Sequence, residues 1–162
     1  MGELEPTALD IASLVMVTGE AARSTVLARL ADAGFGDIRP AHGYIFQRLI
    51  DGTPTITEIA RELGITQQGA SKLVVELEKF GYVRRLRHES DSRARRVALT
   101  ARGIECLETT RAARHDLDVA LAAEIGERTV RDLAAGLAAF SQVLGLDKAI
   151  RGRTVALPDS ES

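Results

Sequence analysis

The stretch TITEIARELGIT, residues 55–66, decides the fold. Thr55 and Glu58 have the spacing of a capping box, which starts a helix. An apolar face follows, made of Ile56, Ile59, Ala60 and Leu63. Gly64 ends this helix, and Thr66 offers a new N-cap, so a second helix begins almost at once. Two short helices joined by a tight glycine-containing turn predict a helix-turn-helix.

The second of these helices, predicted over residues 66–80, has one face suited to reading base pairs. Its apolar face is predicted to be buried and consists of Ala70, Leu73, Val74 and Leu77. The opposite face carries Gln67, Gln68, Ser71, Lys72, Val75 and Lys79. Glutamine can bond adenine, lysine can reach guanine, and an exposed valine can contact a thymine methyl group. Because residues near the N-terminus of such a helix do most of the reading, we expect base contacts from Gln67, Gln68, Ser71 and Lys72. The alternative is an ordinary amphipathic helix whose polar face meets water.

The segments that follow predict a β-hairpin, which after a helix-turn-helix is a wing. Residues 82–87 and 95–99 alternate in character, and the polar residues 88–93 between them are rich in turn formers. Thr100 is placed to cap the next helix. The hairpin carries Arg84, Arg85, Arg87, Arg93, Arg95 and Arg96 against Glu89 and Asp91. Such an excess of arginine favours a DNA-binding wing, although an edge hairpin kept soluble by charge is the alternative.

The charge distribution supports a polyanionic partner despite a net charge of −2. Residues 61–102 contain ten Lys and Arg against five Asp and Glu, a balance of +5, and the rest of the chain carries −7. Such a segregated charge lets one part attract a polyanion while the other repels it.

Helices are predicted on both sides of this unit. They span residues 8–32, residues 40–50 and residues 100–124, with a break at Gly126 and a last helix to about residue 144. Residues of the last helix are spaced for helix-on-helix packing, and with Leu9 of the first helix they are the predicted dimer contacts: Val130, Leu133, Leu137, Phe140 and Leu144. Residues 147–162 are predicted to be a mobile tail.

Residues 40–123 resemble the MarR family of winged-helix transcriptional regulators, and residues 55–66, 74–83 and 91–100 carry the resemblance. The fold expected is mainly α with a small β-hairpin wing. Residues 37–102 would form the winged helix-turn-helix, and residues 1–36 and 103–146 a helical dimerisation domain. The resemblance implies a homodimer on a palindromic double-stranded DNA operator, most simply a repressor.

The resemblance also assigns roles to individual residues. Arg93 would enter the minor groove and Asp91 would orient it, while Gln67, Gln68, Ser71 and Lys72 would read the major groove. The arginine excess of the hairpin, and not the resemblance, adds Arg87, Arg95 and Arg96 to the predicted DNA-binding residues. Family members often bind small anionic or aromatic effectors. Candidate liners of such a pocket are Arg23, His42, Tyr44, Phe46, Arg111, Arg114 and His115, although each is read more simply as an exposed charge or a core aromatic, and the effector site stays unknown.

Other classes of protein are disfavoured. The sequence has no Gly-rich phosphate loop, nucleophile motif or useful carboxylate or histidine grouping, so we expect no enzyme, cofactor or metal site. Cys106 lies near Glu105 and Glu108, which would raise its pKa, and redox sensing is not expected. No uninterrupted apolar stretch reaches about 18 residues, so we expect a soluble cytoplasmic protein. A winged-helix module that binds proteins is the alternative function.

Overall fold

The computed structural model describes residues 9–87 and 95–146. Over these residues the chain forms six helices and a two-stranded hairpin, which confirms the fold class predicted from the sequence. In chain order these are α1 (Ile11–Asp32), α2 (Pro40–Leu49), α3 (Ile56–Leu63), α4 (Gln67–Lys79), β1 (Val83–Arg87), β2 (Arg95–Leu99), α5 (Ala101–Ile125) and α6 (Glu127–Val143).

Side-chain caps set the helix-turn-helix. Thr55 Oγ1 accepts a hydrogen bond from the Glu58 amide at 3.2 Å, and the Glu58 carboxylate accepts one from the Thr55 amide at 2.7 Å. The bond from the Thr55 amide, together with one that the Thr55 hydroxyl donates to the same carboxylate at 3.0 Å, holds the pKa of Glu58 below its usual value, because both stabilise the carboxylate. Gly64 ends α3 at φ 68°, in the left-handed region that favours glycine, and Thr66 caps α4. The predicted capping box and turn are confirmed.

The helix-turn-helix closes around one apolar core. Ile59 and Leu63 of α3 meet Val74 and Leu77 of α4 in this core, to which α2 contributes Ile45. Of the residues predicted to form the buried face of α4, Ala70, Val74 and Leu77 are buried and Leu73 is partly buried. Burial of this face leaves the opposite face of α4 directed outward.

The wing is an antiparallel pair in which Val83 lies opposite Leu99 and Arg87 lies opposite Arg95. A third segment joins it, because the Val97 amide donates to the Pro54 carbonyl at 2.9 Å and Thr55 forms a bridge to Arg96. The segment that leads into α3 is therefore also hydrogen-bonded to the wing through the Pro54 carbonyl, which fixes the wing relative to the helix-turn-helix.

The first helix begins later than predicted. Asp10 caps α1 by accepting a hydrogen bond from the Ser13 amide at 2.9 Å, so Leu9 lies before the helix and not in it. The predicted start was wrong because the prediction used the spacing of apolar residues and did not take the Asp10 carboxylate as a cap. Toward its C-terminal end α1 packs on α5, and Leu30 is buried there.

By length and composition α1 could cross a membrane, although Glu20 and Arg23 interrupt its sequence. One such helix near an N-terminus is weak evidence for a membrane span, because the core helices of soluble proteins pass the same test of length and hydropathy. Val26, Leu27 and Leu30 of α1 pack against the core of this chain.

Candidate nucleic-acid interface

The outward face of α4 presents amides and a cation at its N-terminal end. Gln67, Gln68 and Lys72 are exposed and Ser71 is half-buried. The first turn of α4 contains no acidic residue. Because helix N-termini carry partial positive charge, this end of α4 is electrostatically suited to a polyanion.

The wing arginines divide into two groups. Arg84 and Arg95 are exposed. Arg85 forms an ion pair with Glu78 of α4 at 3.1 Å, and Arg96 donates from Nη1 to the Thr53 carbonyl at 2.9 Å. The arginine excess that the sequence attributed to DNA binding therefore serves in part to attach the wing to α4 and to the turn before α3.

Three of the predicted wing residues lie at the end of β1 or beyond it. Arg87 ends β1 opposite Arg95. Arg93 and Asp91, predicted to enter and support a minor-groove contact, lie outside the described residues. Their roles stay predictions.

A cluster at the base of the wing was not found by sequence reasoning. The hydroxyl of the fully buried Tyr82 donates to Asp37, and the Arg102 guanidinium lies 4.8 Å from the Tyr82 ring centroid and 5.2 Å from that of Phe35. Arg102 also donates to the Gly34 carbonyl at 3.0 Å. Burial and the Asp37 carboxylate raise the pKa of Tyr82. This cluster ties the loop after α1 to the junction of wing and α5.

A second cluster attaches α4 to α2. His42 is fully buried, its Nδ1 accepts from the Arg39 amide at 3.2 Å, and its Nε2 lies 3.1 Å from a carboxylate oxygen of Glu76 on α4. The Arg39 guanidinium forms an ion pair with the same oxygen. Burial, with a smaller effect from the Arg39 charge, lowers the pKa of His42 to about 4. His42 is thus neutral near pH 7, and Arg39 supplies the positive charge opposite Glu76.

A cavity of about 720 Å³ lies between α1, α2 and α5. Of the residues predicted from the sequence to line an effector pocket, Arg23, Tyr44, Phe46 and Arg114 line it. His42, Arg111 and His115 are not among its lining residues; His42 instead bonds Glu76. The sequence could not distinguish these positions, because the cavity collects residues from three helices far apart in the chain.

Cys106 is buried, and burial raises its pKa to about 11. The direction agrees with the prediction, but the cause does not. Desolvation dominates, and neither Glu105 nor Glu108 contributes. Within residues 9–87 and 95–146 no group of three or more His, Cys, Asp or Glu side chains could hold a metal ion.

The last helix, α6, has no buried residue in this single chain. Of the predicted dimer contacts, Leu133, Leu137 and Leu144 are exposed by 44%, 41% and 56%, and Val130 and Phe140 are half-buried. Leu9 is half-buried beside the start of α1. Further large apolar residues are exposed on α1 and α5, among them Met16, Val17, Val119 and Ile125.

Comparisons with known proteins agree with this architecture. Residues 37–94 match the model of the MarR family, which confirms the resemblance drawn from the sequence. No curated protein matches the chain. Among solved structures, the transcriptional regulator Tm0710 from Thermotoga maritima is similar with a TM-score of 0.60, 22% identity, and coverage of 85% of this chain and 96% of that one. The YusO protein from Bacillus subtilis gives a TM-score of 0.67 at 19% identity, covering 82% and 93%. A MepR–DNA complex from S. aureus gives 0.67 at 20% identity, covering 82% and 98%.

Proposed function

We propose that this chain is a sequence-specific double-stranded DNA-binding transcriptional regulator of the cytoplasm, most simply a repressor that blocks promoter access. The observation that carries the proposal is the exposed, acid-free N-terminal face of α4, with Gln67, Gln68 and Lys72, beside a wing that exposes Arg84 and Arg95. Amides and lysine suit base edges in the major groove, and guanidinium groups suit phosphates. MepR, which shares this fold, has been crystallised with DNA.

The proposal includes a homodimer on a palindromic operator, with residues 37–102 as the DNA-binding domain and residues 1–36 and 103–146 as the dimerisation domain. The support is apolar surface on the terminal helices that this single chain leaves exposed, above all Leu133, Leu137 and Leu144. A second copy would bury the same surface on both chains, and two-fold symmetry would present two α4 helices to half-sites about 10 bp apart.

The proposal also includes release by a small effector bound in the 720 Å³ cavity. The cavity is within the size range of ligand pockets in proteins. Its walls combine apolar residues such as Val26 and Leu27 with the cations Arg23, Arg39 and Arg114 against the single acid Asp118. This balance suits a small apolar anion.

The alternative is a winged-helix module in which the hairpin binds an acidic protein. No observation on the described residues favours it over DNA, and it becomes an outcome of the test. The experiment is selection of binding sites from random duplexes with the full-length protein, followed by titration of the selected duplex. A palindromic consensus supports the proposal, and binding without sequence preference contradicts it.

Two variants sharpen this experiment. Gln68→Ala should relax preference at one base pair by about 1–3 kcal/mol if Gln68 makes a bidentate base contact. Its control, Gln142→Ala, removes the same group outside the proposed DNA-binding domain and should leave the base preference unchanged. Arg95→Ala should make the log–log salt dependence of binding shallower by about 0.9 if Arg95 neutralises one phosphate. Its control is Arg128→Ala, an exposed arginine outside the proposed DNA-binding domain, which should leave the slope of the salt dependence unchanged.

A further inference from the structure

Arg39 belongs to two sites at once. It is the N-cap residue of α2, it lines the cavity, and its guanidinium pairs with Glu76, three residues before the end of α4. Arg39 is 57% exposed and Glu76 is 25% exposed at the side chain. An anion in the cavity and the Glu76 carboxylate would therefore compete for one guanidinium.

The neighbouring His42 makes this competition consequential. Because Nδ1 accepts the Arg39 amide hydrogen, Nε2 carries the ring proton and donates it to Glu76. A neutral imidazole satisfies one lone pair of the carboxylate but does not balance its charge. If Arg39 turns toward the cavity, a mostly buried carboxylate on α4 is left with a neutral partner, which is costly in a low-dielectric setting.

The other cations of the cavity are not linked to α4 in this way. Arg23 forms an ion pair with Glu20, three residues away on α1, at 2.6 Å. Arg114 lies on α5. Both can contribute to holding an anion, but within the described residues no ion pair joins either of them to α4.

We propose that Arg39 is the positioning residue that couples the cavity to α4: a carboxylate bound in the cavity draws Arg39 away from Glu76 and loosens α4. This inference rests on the proposed function for its biological meaning, since α4 is the proposed reading helix. Its physical content, a competition between two carboxylates for one guanidinium, does not require DNA.

The test is amide hydrogen exchange of residues 67–79 in the full-length protein, with benzoate as the probe anion and benzamide as its neutral isostere. The proteins compared are the wild type, Arg39→Gln, Arg39→Lys and Arg23→Gln. Arg23→Gln is the matched control, because it removes a cavity guanidinium that has no bond to α4. Arg39→Lys retains the charge and tests whether a cation at this position restores the response.

At saturating benzoate we expect exchange in α4 of the wild type to accelerate by about 5-fold or more, the lower end of measured couplings. Arg39→Gln should exchange rapidly without ligand and gain nothing from benzoate. Arg23→Gln should need more benzoate but reach the same acceleration, Arg39→Lys should respond, and benzamide should have no effect. The inference is overturned if Arg39→Gln responds like the wild type, if benzamide acts like benzoate, or if benzoate leaves wild-type exchange unchanged.

A parallel titration with the selected duplex separates this inference from the proposed function. Benzoate should weaken DNA binding by the wild type and not by Arg39→Gln. A protein whose α4 responds through Arg39 but which shows no sequence preference would refute the proposed function alone. A protein that binds a palindrome and remains equally sensitive to benzoate in Arg39→Gln would refute the coupling alone.

Discussion

Replacing Gly103 with alanine introduces a methyl group where the wing meets α5, and we expect the variant to be markedly less stable. An added Cβ would overlap the Tyr82 carbonyl oxygen and would lie 3.1 Å from Leu99 Cδ2. The carbonyl cannot easily move, because it accepts the Thr100 amide at 3.0 Å and the Tyr82 amide is itself bonded to the Leu77 carbonyl at 2.9 Å. The overlap is therefore with backbone fixed on both sides.

The size of the effect follows from two opposed contributions. Overpacking of a rigid site costs about 3 kcal/mol, and alanine in a helix gains up to about 1 kcal/mol over glycine. The net loss is about 2 kcal/mol, which for a chain of this length lowers Tm by about 4–8 °C. The measurement is thermal unfolding by circular dichroism at one protein concentration, because the Tm of a dimer depends on concentration.

Gly43→Ala is the matched control. Gly43 also lies in a helix, α2, but an added Cβ there meets nothing within 4 Å. The same substitution should raise the free energy of unfolding by about 1 kcal/mol through helix propensity alone. If Gly103→Ala is as stable as the wild type, or gains stability as Gly43→Ala does, the close approach at the wing is not a constraint and the reasoning is refuted.

Three further predictions concern other parts of the molecule. Leu137→Glu, in the exposed seam of α6, should convert the proposed dimer to a monomer in sedimentation velocity, and an intact dimer would rule out this seam as the interface. The pKa of His42 is lowered to about 4 from a usual 6.5, so below pH 6.5 the unfolded state binds the extra proton and stability falls as pH decreases toward 4. Urea unfolding at a series of pH values should show this fall, and His42→Gln should show less of it; equal slopes would remove His42 as the cause. Cys106, buried and with its pKa raised to about 11, should react with an aromatic disulfide at pH 8 far more slowly in the native protein than in urea, and comparable rates would contradict its burial.

The local features of the helix-turn-helix could be predicted from the sequence because they depend on neighbours along the chain. The Thr55–Glu58 box and the Gly64 turn each involve residues within four positions of one another. The same holds for the caps at Thr66 and Thr100, which bond amides three residues on. Where a local signal was overlooked, as at the Asp10 cap of α1, the predicted boundary was wrong.

The roles of individual charged residues could be predicted less well. In the sequence nothing distinguishes Arg85 and Arg96 from the exposed Arg84 and Arg95. In the structure, however, Arg85 pairs with Glu78 and Arg96 donates to the Thr53 carbonyl. The residue pattern of a strand predicts which side chains share a face of the sheet, but it does not predict which guanidinium group bonds to a residue of another element. The raised pKa of Cys106 likewise comes from burial that spacing along one helix does not reveal.

By itself the sequence determined the order of the helices, the turn between α3 and α4, the outward face of α4 and the presence of a wing, because capping and apolar periodicity act over a few residues. Only the tertiary structure decided that His42 and Arg39 meet Glu76, 34 and 37 residues away. It also decided that three helices enclose a cavity and that α5 approaches the Tyr82 backbone too closely for any side chain at Gly103. Such contacts depend on how whole elements pack, and no short stretch of the chain contains that information.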